Sequence, residues 1–210
     1  WEQLLSPTQT FAVEVTLATD LFHHSQYMTL RAKDAIVDKL RATTGKRPNV
    51  DTLHPDLQLF IHIQSDNQVI VSLDTSGASL HHRGYRTQTN IAPINEVLAA
   101  GILLLSGWKG QSDFLDPMCG SGTFLIEAAM IACNIPASLH RKEFAFEKWA
   151  DYDVDLFETI FDSSLAKAKE FDYHLYGYDK APSAVTKAKE NIKNARLTEY
   201  ITVSQQDFFK

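Results

Sequence analysis

The chain has 210 residues, of which 44% are hydrophobic and 22% are charged, and its formal net charge is −6. This composition is typical of a globular protein, and no apolar run approaches the roughly 18 residues of a membrane helix. The length favours two modest domains over one, and the mild acidity argues against nucleic-acid binding over the whole surface.

The two cysteines, Cys119 and Cys133, form neither a disulfide framework nor a metal-ligand pattern. We therefore expect reduced, cytoplasmic surroundings and no bound metal. The chain starts at Trp1 and lacks the features of a signal peptide. We expect it to be a piece of a longer protein.

The first 76 residues predict a small α+β module. Its predicted elements are a strand at 11–19, a helix at 25–44 that ends at Gly45, and strands at 57–63 and 68–74. The first strand alternates apolar and polar residues, as a half-buried strand does. Ser65-Asp66-Asn67 separates the last two strands and is a hairpin signal.

Residues 92–210 predict a parallel sheet flanked by helices, because strands and helices alternate there. The predicted elements are a helix at 93–106, a strand at 113–115, helices at 123–133 and near 155–171, a strand at 174–179, a helix at 182–195 and a strand from 201. Residues 77–91, with two glycines and little periodicity, are the predicted linker.

An acid follows each of the three predicted strands of this sheet: Asp116, Asp179 and Asp207. Ligands of open parallel sheets collect outside the carboxyl ends of the strands, so the three acids would share one rim if the strands are neighbours. Asp is also common in strand-to-helix turns, where it caps the following helix. That alternative remains open for each of the three.

The turn from Asp116 to Thr123, "DPMCGSGT", joins the first of these strands to a helix. It lacks the Lys of a P-loop and the third glycine of a dinucleotide fingerprint. A pyrophosphate could still bind the helix N-terminus, but Asp116 would repel it. The turn suits a positively charged ligand with a ribose and an exocyclic amine for the other two acids, and S-adenosylmethionine has all three features.

The motif "DPMCGSGTFLIEAAMIA", with "LDTSGASLHHRGYR", "APINEVLAAGILLLSGW", "FAFEKW", "GYD" and "QDFF", resembles one enzyme family. This family comprises the THUMP-containing, S-adenosylmethionine-dependent RNA guanine-N2 methyltransferases, in particular the bacterial 23S ribosomal RNA members, which are often labelled N6-adenine-specific DNA methylases. The resemblance implies a Rossmann-like class I methyltransferase sheet at residues 92–210, incomplete here. It also implies the later part of a THUMP RNA-binding module at residues 1–76.

The resemblance also implies the cofactor-binding residues. The first cofactor motif comprises Asp116, Pro117, Cys119, Gly120, Ser121, Gly122 and Thr123, and the backbone of 119–122 would lie against the methionine part. Asp179 would bind the ribose hydroxyls. Asp207 would accept from the adenine amine, and Phe208 would pack on the ring.

Enzymes of this type carry a catalytic Asn- or Asp-Pro-Pro-aromatic motif after the fourth strand, where it holds the target amine and stacks on a flipped base. None of the seven prolines of this chain is followed by another. The catalytic residues are therefore unknown, and we expect the motif to lie beyond Lys210.

Several other residues leave two alternatives open. Arg83 and Arg86 in "HHRGYR" would contact RNA phosphates or pair with acids. Glu96 would satisfy a helix dipole or serve the cofactor. Core or lid roles are expected, rather than base stacking, for Phe144, Phe146 and Trp149. A basic cluster in the first module would be an RNA face or a solvated helix face; it comprises Arg31, Lys33, Lys39, Arg41, Lys46 and Arg47.

The sequence thus predicts methyl transfer to the N2 amine of a guanine in 23S rRNA. The alternatives in the same class are an adenine-N6 nucleic-acid methylase and a tRNA guanine-N2 methyltransferase. The alternative in another class is a non-catalytic RNA-binding module.

Overall fold

The computed structural model describes residues 3–87 and 93–209. The chain forms two compact units. The first unit contains residues 1–78 and 143–154, and the second contains residues 79–142 and 155–210. A short piece between two elements of the second unit therefore belongs to the first.

The first unit is a four-stranded sheet with one long helix, in the strand order β2-β1-β3-β4. Its elements are β1 (Thr10–Leu17), α1 (Ser25–Thr44), β2 (Asn49–Val50), β3 (Leu57–Ile63) and β4 (Val69–Leu73). β1 is parallel to β2 and β3, and β3 pairs with β4 as the predicted antiparallel hairpin. The predicted strand-helix-strand-strand order is confirmed, and among the strands of this unit the two-residue β2 was not predicted.

Helix α1 packs on one face of this sheet. Its buried residues Ile36, Val37 and Leu40 contact a core that includes Phe11 and Leu59 of the strands. Alternation along β1 and β3 places these apolar side chains on one face. Gly45 ends α1 in the left-handed conformation, and its N–H donates to the carbonyl of Arg41.

A short 3-10 helix, Ala145–Lys148, also belongs to the first unit and was not predicted. The Phe146 N–H donates to the Thr75 carbonyl at 3.2 Å. The half-buried Trp149 packs against the core of the first unit. Of the roles expected for this residue, the structure supports core packing.

The second unit contains a three-stranded parallel sheet in the order β5-β6-β7. Its elements are α2 (Glu96–Ser106), β5 (Phe114–Asp116), α3 (Thr123–Ala132), α4 (Val154–Leu165), β6 (Leu175–Asp179), α5 (Pro182–Asn194) and β7 (Ile201–Gln205). The predicted α/β class is confirmed, because parallel strands alternate with helices.

Close packing of α3 on the sheet depends on Gly177 in β6. A Cβ at this position would lie 2.4 Å from Leu125 Cδ1 and 3.2 Å from Cys119 Sγ. Leu125 and Cys119 both belong to the core of this unit. The absent side chain therefore lets α3 approach the strand that carries Asp179.

Two predicted helix boundaries were wrong. Helix α2 begins at Glu96 rather than Pro93, because the Asn95 side chain accepts from the Leu98 N–H and caps the helix there. Helix α4 ends at Leu165 rather than near residue 171. The chain leaves it to bond with the end of α3, where the Lys169 N–H donates to the Cys133 carbonyl at 2.8 Å.

Within residues 3–87 and 93–209, no helix is both long enough and apolar enough to cross a membrane.

Candidate functional site

The turn between β5 and α3 is held by backbone hydrogen bonds. The Cys119 N–H donates to the Tyr178 carbonyl of β6 at 2.8 Å, and the Gly122 N–H donates to the Cys119 carbonyl at 2.8 Å. Gly120 and Gly122 have φ angles of 55° and 84°, which favour glycine. A Cβ on Gly122 would also lie 3.3 Å from the Ala188 Cβ of α5. This second glycine therefore serves helix packing as well as the turn.

Two of the predicted acids meet at this turn, because β5 and β6 are parallel neighbours. Asp179 accepts hydrogen bonds at both carboxylate oxygens, from the Gly120 N–H at 3.0 Å and from the Ala181 N–H at 2.9 Å. Asp116 accepts from the Met118 N–H at 3.2 Å. Asp179 thus bonds to the N–H of Ala181, the residue before α5, without capping the helix, and it also fixes the glycine turn from the next strand.

A cleft of about 370 Å³ opens over the turn. Small-molecule sites commonly have volumes of about 300–1,000 Å³. The residues that line this cleft are Pro93, Ile94, Asp116, Pro117, Met118, Cys119, Gly120, Ser121, Thr123 and Phe124. Six of the ten predicted cofactor residues are among them. Pro93 and Ile94 were not predicted, since nothing in their local pattern indicates contact with a turn more than 20 residues away.

The other predicted cofactor residues lie outside this lining set. Gly122 is buried behind the turn, and Asp179 reaches the turn through its bond to Gly120. Asp207 is partly buried and accepts from the Phe209 N–H at 3.1 Å, while Phe208 is 57% exposed. The ends of β6 and β7 are joined, because the Gln206 N–H donates to the Asp179 carbonyl at 3.1 Å. The adenine-side roles of Asp207 and Phe208 stay predictions.

Burial is the main influence on the pKa of Asp116 and of Cys119, two titratable groups that line the cleft. It raises the pKa of Asp116, and the nearby Asp179 raises it further, while the Met118 N–H acts in the opposite direction. Burial, Asp116 and Asp179 raise the pKa of the Cys119 thiol to about 12. Cys119 is therefore a neutral packing residue rather than a nucleophile. A cation close to Asp116 would stabilise the charged form of its carboxylate.

Arg83 and Arg86 pair with buried acids, as one of the two alternatives predicted. Arg83 Nη2 lies 3.4 Å from Glu127 Oε2, and these side chains are only 10% and 2% exposed. The Tyr85 hydroxyl donates to Glu127 Oε1 at 3.0 Å. Burial beside Glu127 raises the pKa of Tyr85, so its hydroxyl remains a donor. Neither arginine is placed as an exposed phosphate contact.

Arg86 contacts two residues that line the cleft. Its Nη2 donates to the Ile94 carbonyl at 3.0 Å and to Thr123 Oγ1, and both of these residues line the cleft. Its Nε lies 3.1 Å from Oε1 of the buried Glu96 at the start of α2. These two atoms are close but poorly aligned, and Arg86 Nε and Glu96 Oε2 have no hydrogen-bond partner among the described residues.

Across the part of the chain that the structure describes, no group of three or more His, Cys, Asp and Glu side chains is placed to hold a metal ion.

Comparison with known proteins adds two family matches. A family model described as "RMKL-like, methyltransferase domain" matches residues 83–210, and a THUMP domain model matches residues 1–74. These matches confirm the predicted combination of a THUMP domain with a methyltransferase domain.

Three solved structures resemble nearly the whole chain. SMU.472, described as a methyltransferase complexed with SAH, is 33% identical over 98% of this chain, with a TM-score of 0.88. A protein of Listeria monocytogenes described as a predicted N6-adenine-specific DNA methylase is 29% identical over 99%, with a TM-score of 0.88. A protein of Clostridium difficile described as a possible methylase is 33% identical over 99%, with a TM-score of 0.87. This chain spans 54% of the length of each of these proteins.

Proposed function

Because this chain belongs to the family of RMKL-like methyltransferase domains, we propose that it holds S-adenosylmethionine for methylation of the N2 amine of a guanine in 23S rRNA. The observation that carries the proposal is the meeting of two strand-end acids at one glycine turn. Asp179 of β6 binds the Gly120 N–H, and Asp116 of β5 lines the cleft above the same turn. This arrangement offers negative charge and backbone donors side by side.

The chemistry of the cleft fits this cofactor. Asp116 is a partly buried carboxylate whose pKa is raised by burial, so a cationic group nearby would stabilise its charged form. S-adenosylmethionine carries such groups, whereas a nucleotide polyphosphate would be repelled. SMU.472, which is 33% identical to this chain, was crystallised with SAH, the product that remains when this cofactor has lost its methyl group.

The proposed division of labour follows from the chemistry of the acceptor. The bound cofactor would supply an electrophilic methyl group. The exocyclic amine of guanine is a poor nucleophile because its lone pair is delocalised into the ring, so catalysis rests mainly on positioning it and on polar acceptors. In this chain Asp116, the glycine turn and Asp179 would hold the methyl donor, and the residues that hold the acceptor remain unknown.

We further propose that the first unit binds the RNA. The THUMP match covers residues 1–74, and the basic cluster defined above lies on α1 and just after it. Five of its six members are exposed, while the partly buried Lys33 pairs with Asp34 at 2.8 Å. Exposed Lys and Arg side chains can neutralise RNA phosphates, and the affinity of such binding falls as the salt concentration rises.

The cofactor proposal is tested by calorimetry with the purified protein. We expect S-adenosylmethionine and S-adenosylhomocysteine to bind and ATP not to bind. Asp116→Asn should weaken binding of S-adenosylmethionine by about tenfold, the effect of one lost charge-assisted contact. Absence of binding to the unaltered protein would contradict the proposal and favour a non-catalytic RNA-binding module.

The acceptor is tested by mass spectrometry of ribosomal RNA nucleosides from a strain that lacks the gene. We expect N2-methylguanosine to be lost from 23S rRNA and restored by the intact gene. The control is transfer RNA from the same strain, which should keep its N2-methylguanosine.

An adenine-N6 methylase is the second candidate, because the similar Listeria protein is described as a predicted enzyme of that kind. The same experiment separates the two. Loss of N6-methyladenine from nucleic acid of the deletion strain, with N2-methylguanosine intact, would replace the first proposal by this one.

A further inference from the structure

We propose that Arg86 is a positioning residue of the cofactor cleft, which holds Ile94 and Thr123 in the arrangement that receives the amino-acid part of S-adenosylmethionine. This inference rests on the proposed function and goes beyond it, since it assigns a role to a residue from another part of the chain. Arg86 precedes the glycine turn by 30 positions and does not itself line the cleft.

The contacts of Arg86 connect two walls of the cleft. Nη2 donates both to the Ile94 carbonyl, on the segment before α2, and to Thr123 Oγ1, in the first turn of α3. Nη2 serves both acceptors, while Nε of the same planar guanidinium lies 3.1 Å from Glu96 Oε1, and a Lys ammonium has no second nitrogen for that partner. Arg86 therefore sets the spacing between the segment 93–94 and the start of α3.

The charge on Arg86 is balanced inside the protein. Its side chain is 12% exposed, and Glu96 Oε1 lies 3.1 Å from its Nε. Glu96 is 2% exposed and opens α2. A buried pair of this kind is costly to break, because the remaining charge is left without a partner. The segment 93–94, which lines one side of the cleft, is thus held by the hydrogen bond from Arg86 to the Ile94 carbonyl and by the ion pair of Arg86 with Glu96.

The location of these contacts indicates which part of the ligand depends on them. Thr123 begins α3, where free backbone N–H groups and the helix dipole favour an anion. Asp116, on the same cleft, favours a cation. The amino-acid part of the cofactor carries both a carboxylate and an ammonium group, while its adenosine part carries neither.

Arg83 provides a matched control within the same segment. It also pairs with a buried glutamate, Glu127, and is 10% exposed. It has no hydrogen bond to a cleft-lining residue in the described structure. Loss of Arg83 should therefore cost stability as loss of Arg86 does, without altering the cleft.

The experiment measures binding of two ligands by calorimetry to Arg86→Lys, Arg86→Gln, Arg83→Lys and Arg83→Gln. S-adenosylhomocysteine contains the amino-acid part, and 5′-methylthioadenosine lacks it. We expect both Arg86 variants to bind S-adenosylhomocysteine about tenfold more weakly, as the loss of a positioned polar contact implies. Binding of methylthioadenosine should change less than twofold.

Arg86→Lys keeps the positive charge and loses the fork, so it should not rescue binding. Melting temperatures measured alongside separate folding from binding. The Arg83 variants should melt earlier and bind both ligands as the unaltered protein does.

Each remaining outcome overturns the inference. Unchanged S-adenosylhomocysteine binding in the Arg86 variants, or equal weakening of both ligands, would reduce Arg86 to a structural residue. If Arg86→Gln does not fold, Arg86→Lys decides alone by the same criteria. If the unaltered protein binds neither ligand, the proposed function fails, and this inference fails with it.

Discussion

Asp116 shows how one residue can oppose stability while preparing a site. Its carboxylate is partly buried, and burial together with Asp179 raises its pKa. One hydrogen bond from the Met118 N–H offsets only part of this cost. A group whose pKa is higher in the folded state favours folding at low pH, and this contribution is lost as pH rises through the raised pKa.

Asp116→Asn should therefore raise the melting temperature at a pH above the raised pKa of Asp116, because the variant has no carboxylate charge to bury. Asn keeps an oxygen that can accept from the Met118 N–H, so the turn should survive. The difference should shrink as the pH falls through the raised pKa of Asp116, because the carboxyl group then becomes neutral. Thermal melts over this pH range, with Asp207→Asn as a control at another strand end, test the prediction. The prediction would be contradicted if Asp116→Asn raised the melting temperature less at the high end of the pH range than at the low end.

The start of helix α3 is constrained both by backbone conformation and by packing. The helix begins after Gly122, whose φ is 84°, and all but two of its ten residues are buried. Gly122 meets two requirements at this N-terminus, because its backbone is left-handed and its missing side chain leaves room for Ala188 of α5. The glycine motif that marks the site in the sequence is therefore also a packing motif.

Gly122→Ala should destabilise the protein more than Gly107→Ala does. Both glycines have positive φ, which costs an alanine about 1–2 kcal/mol. Gly107 has nothing within 4 Å of an added Cβ, whereas the Gly122 Cβ would press on Ala188 at 3.3 Å. Overpacking typically adds about 1–3 kcal/mol. Urea unfolding of the two variants gives the comparison, and equal losses would show that α5 yields without cost.

On the scale of the whole molecule, the two compact units are not continuous segments of the sequence. Residues 143–154 follow α3 of the second unit and run to the first residue of α4, and yet they form part of the first unit. Trp149 packs against the core of the first unit, and Gln9 Nε2 donates to the Lys148 carbonyl at 3.0 Å. The THUMP-matching unit therefore draws on residues outside 1–74 for part of its packing.

Trp149→Ala should loosen the first unit and leave the second largely unaffected. The cost should be about 2 kcal/mol, below the 3–5 kcal/mol of a fully buried aromatic, because Trp149 is half-buried. Hydrogen exchange should accelerate in β1, α1 and β3. The matched change Trp108→Ala removes a partly buried side chain that packs against the core of the second unit, and it should accelerate exchange in β5 and β6 instead. The reverse assignment would show that residues 143–154 do not stabilise the first unit.

Local pattern was enough for the order of elements and for the glycine turn. Helix α1 matches its predicted bounds, and β3 does as well, because periodicity and stop residues act over a few neighbouring positions. The motif from Asp116 to Thr123 marked most of the cleft for the same reason. Asp179 was predicted from its place at a strand end, and parallel pairing brings it to the turn.

The other features of the cleft and of the first unit depend on contacts that no local sequence pattern indicates. The pairing of Arg86 with Glu96 and Thr123, the Ile94 wall and the place of Trp149 all join residues that are distant in the sequence or lack a local signal. No periodicity encodes such pairs, because they depend on which surfaces meet when the helices and sheets pack. Local sequence therefore determined the glycine turn, whereas only the tertiary structure brought Arg86 to Ile94 and Thr123 at the cleft beside it.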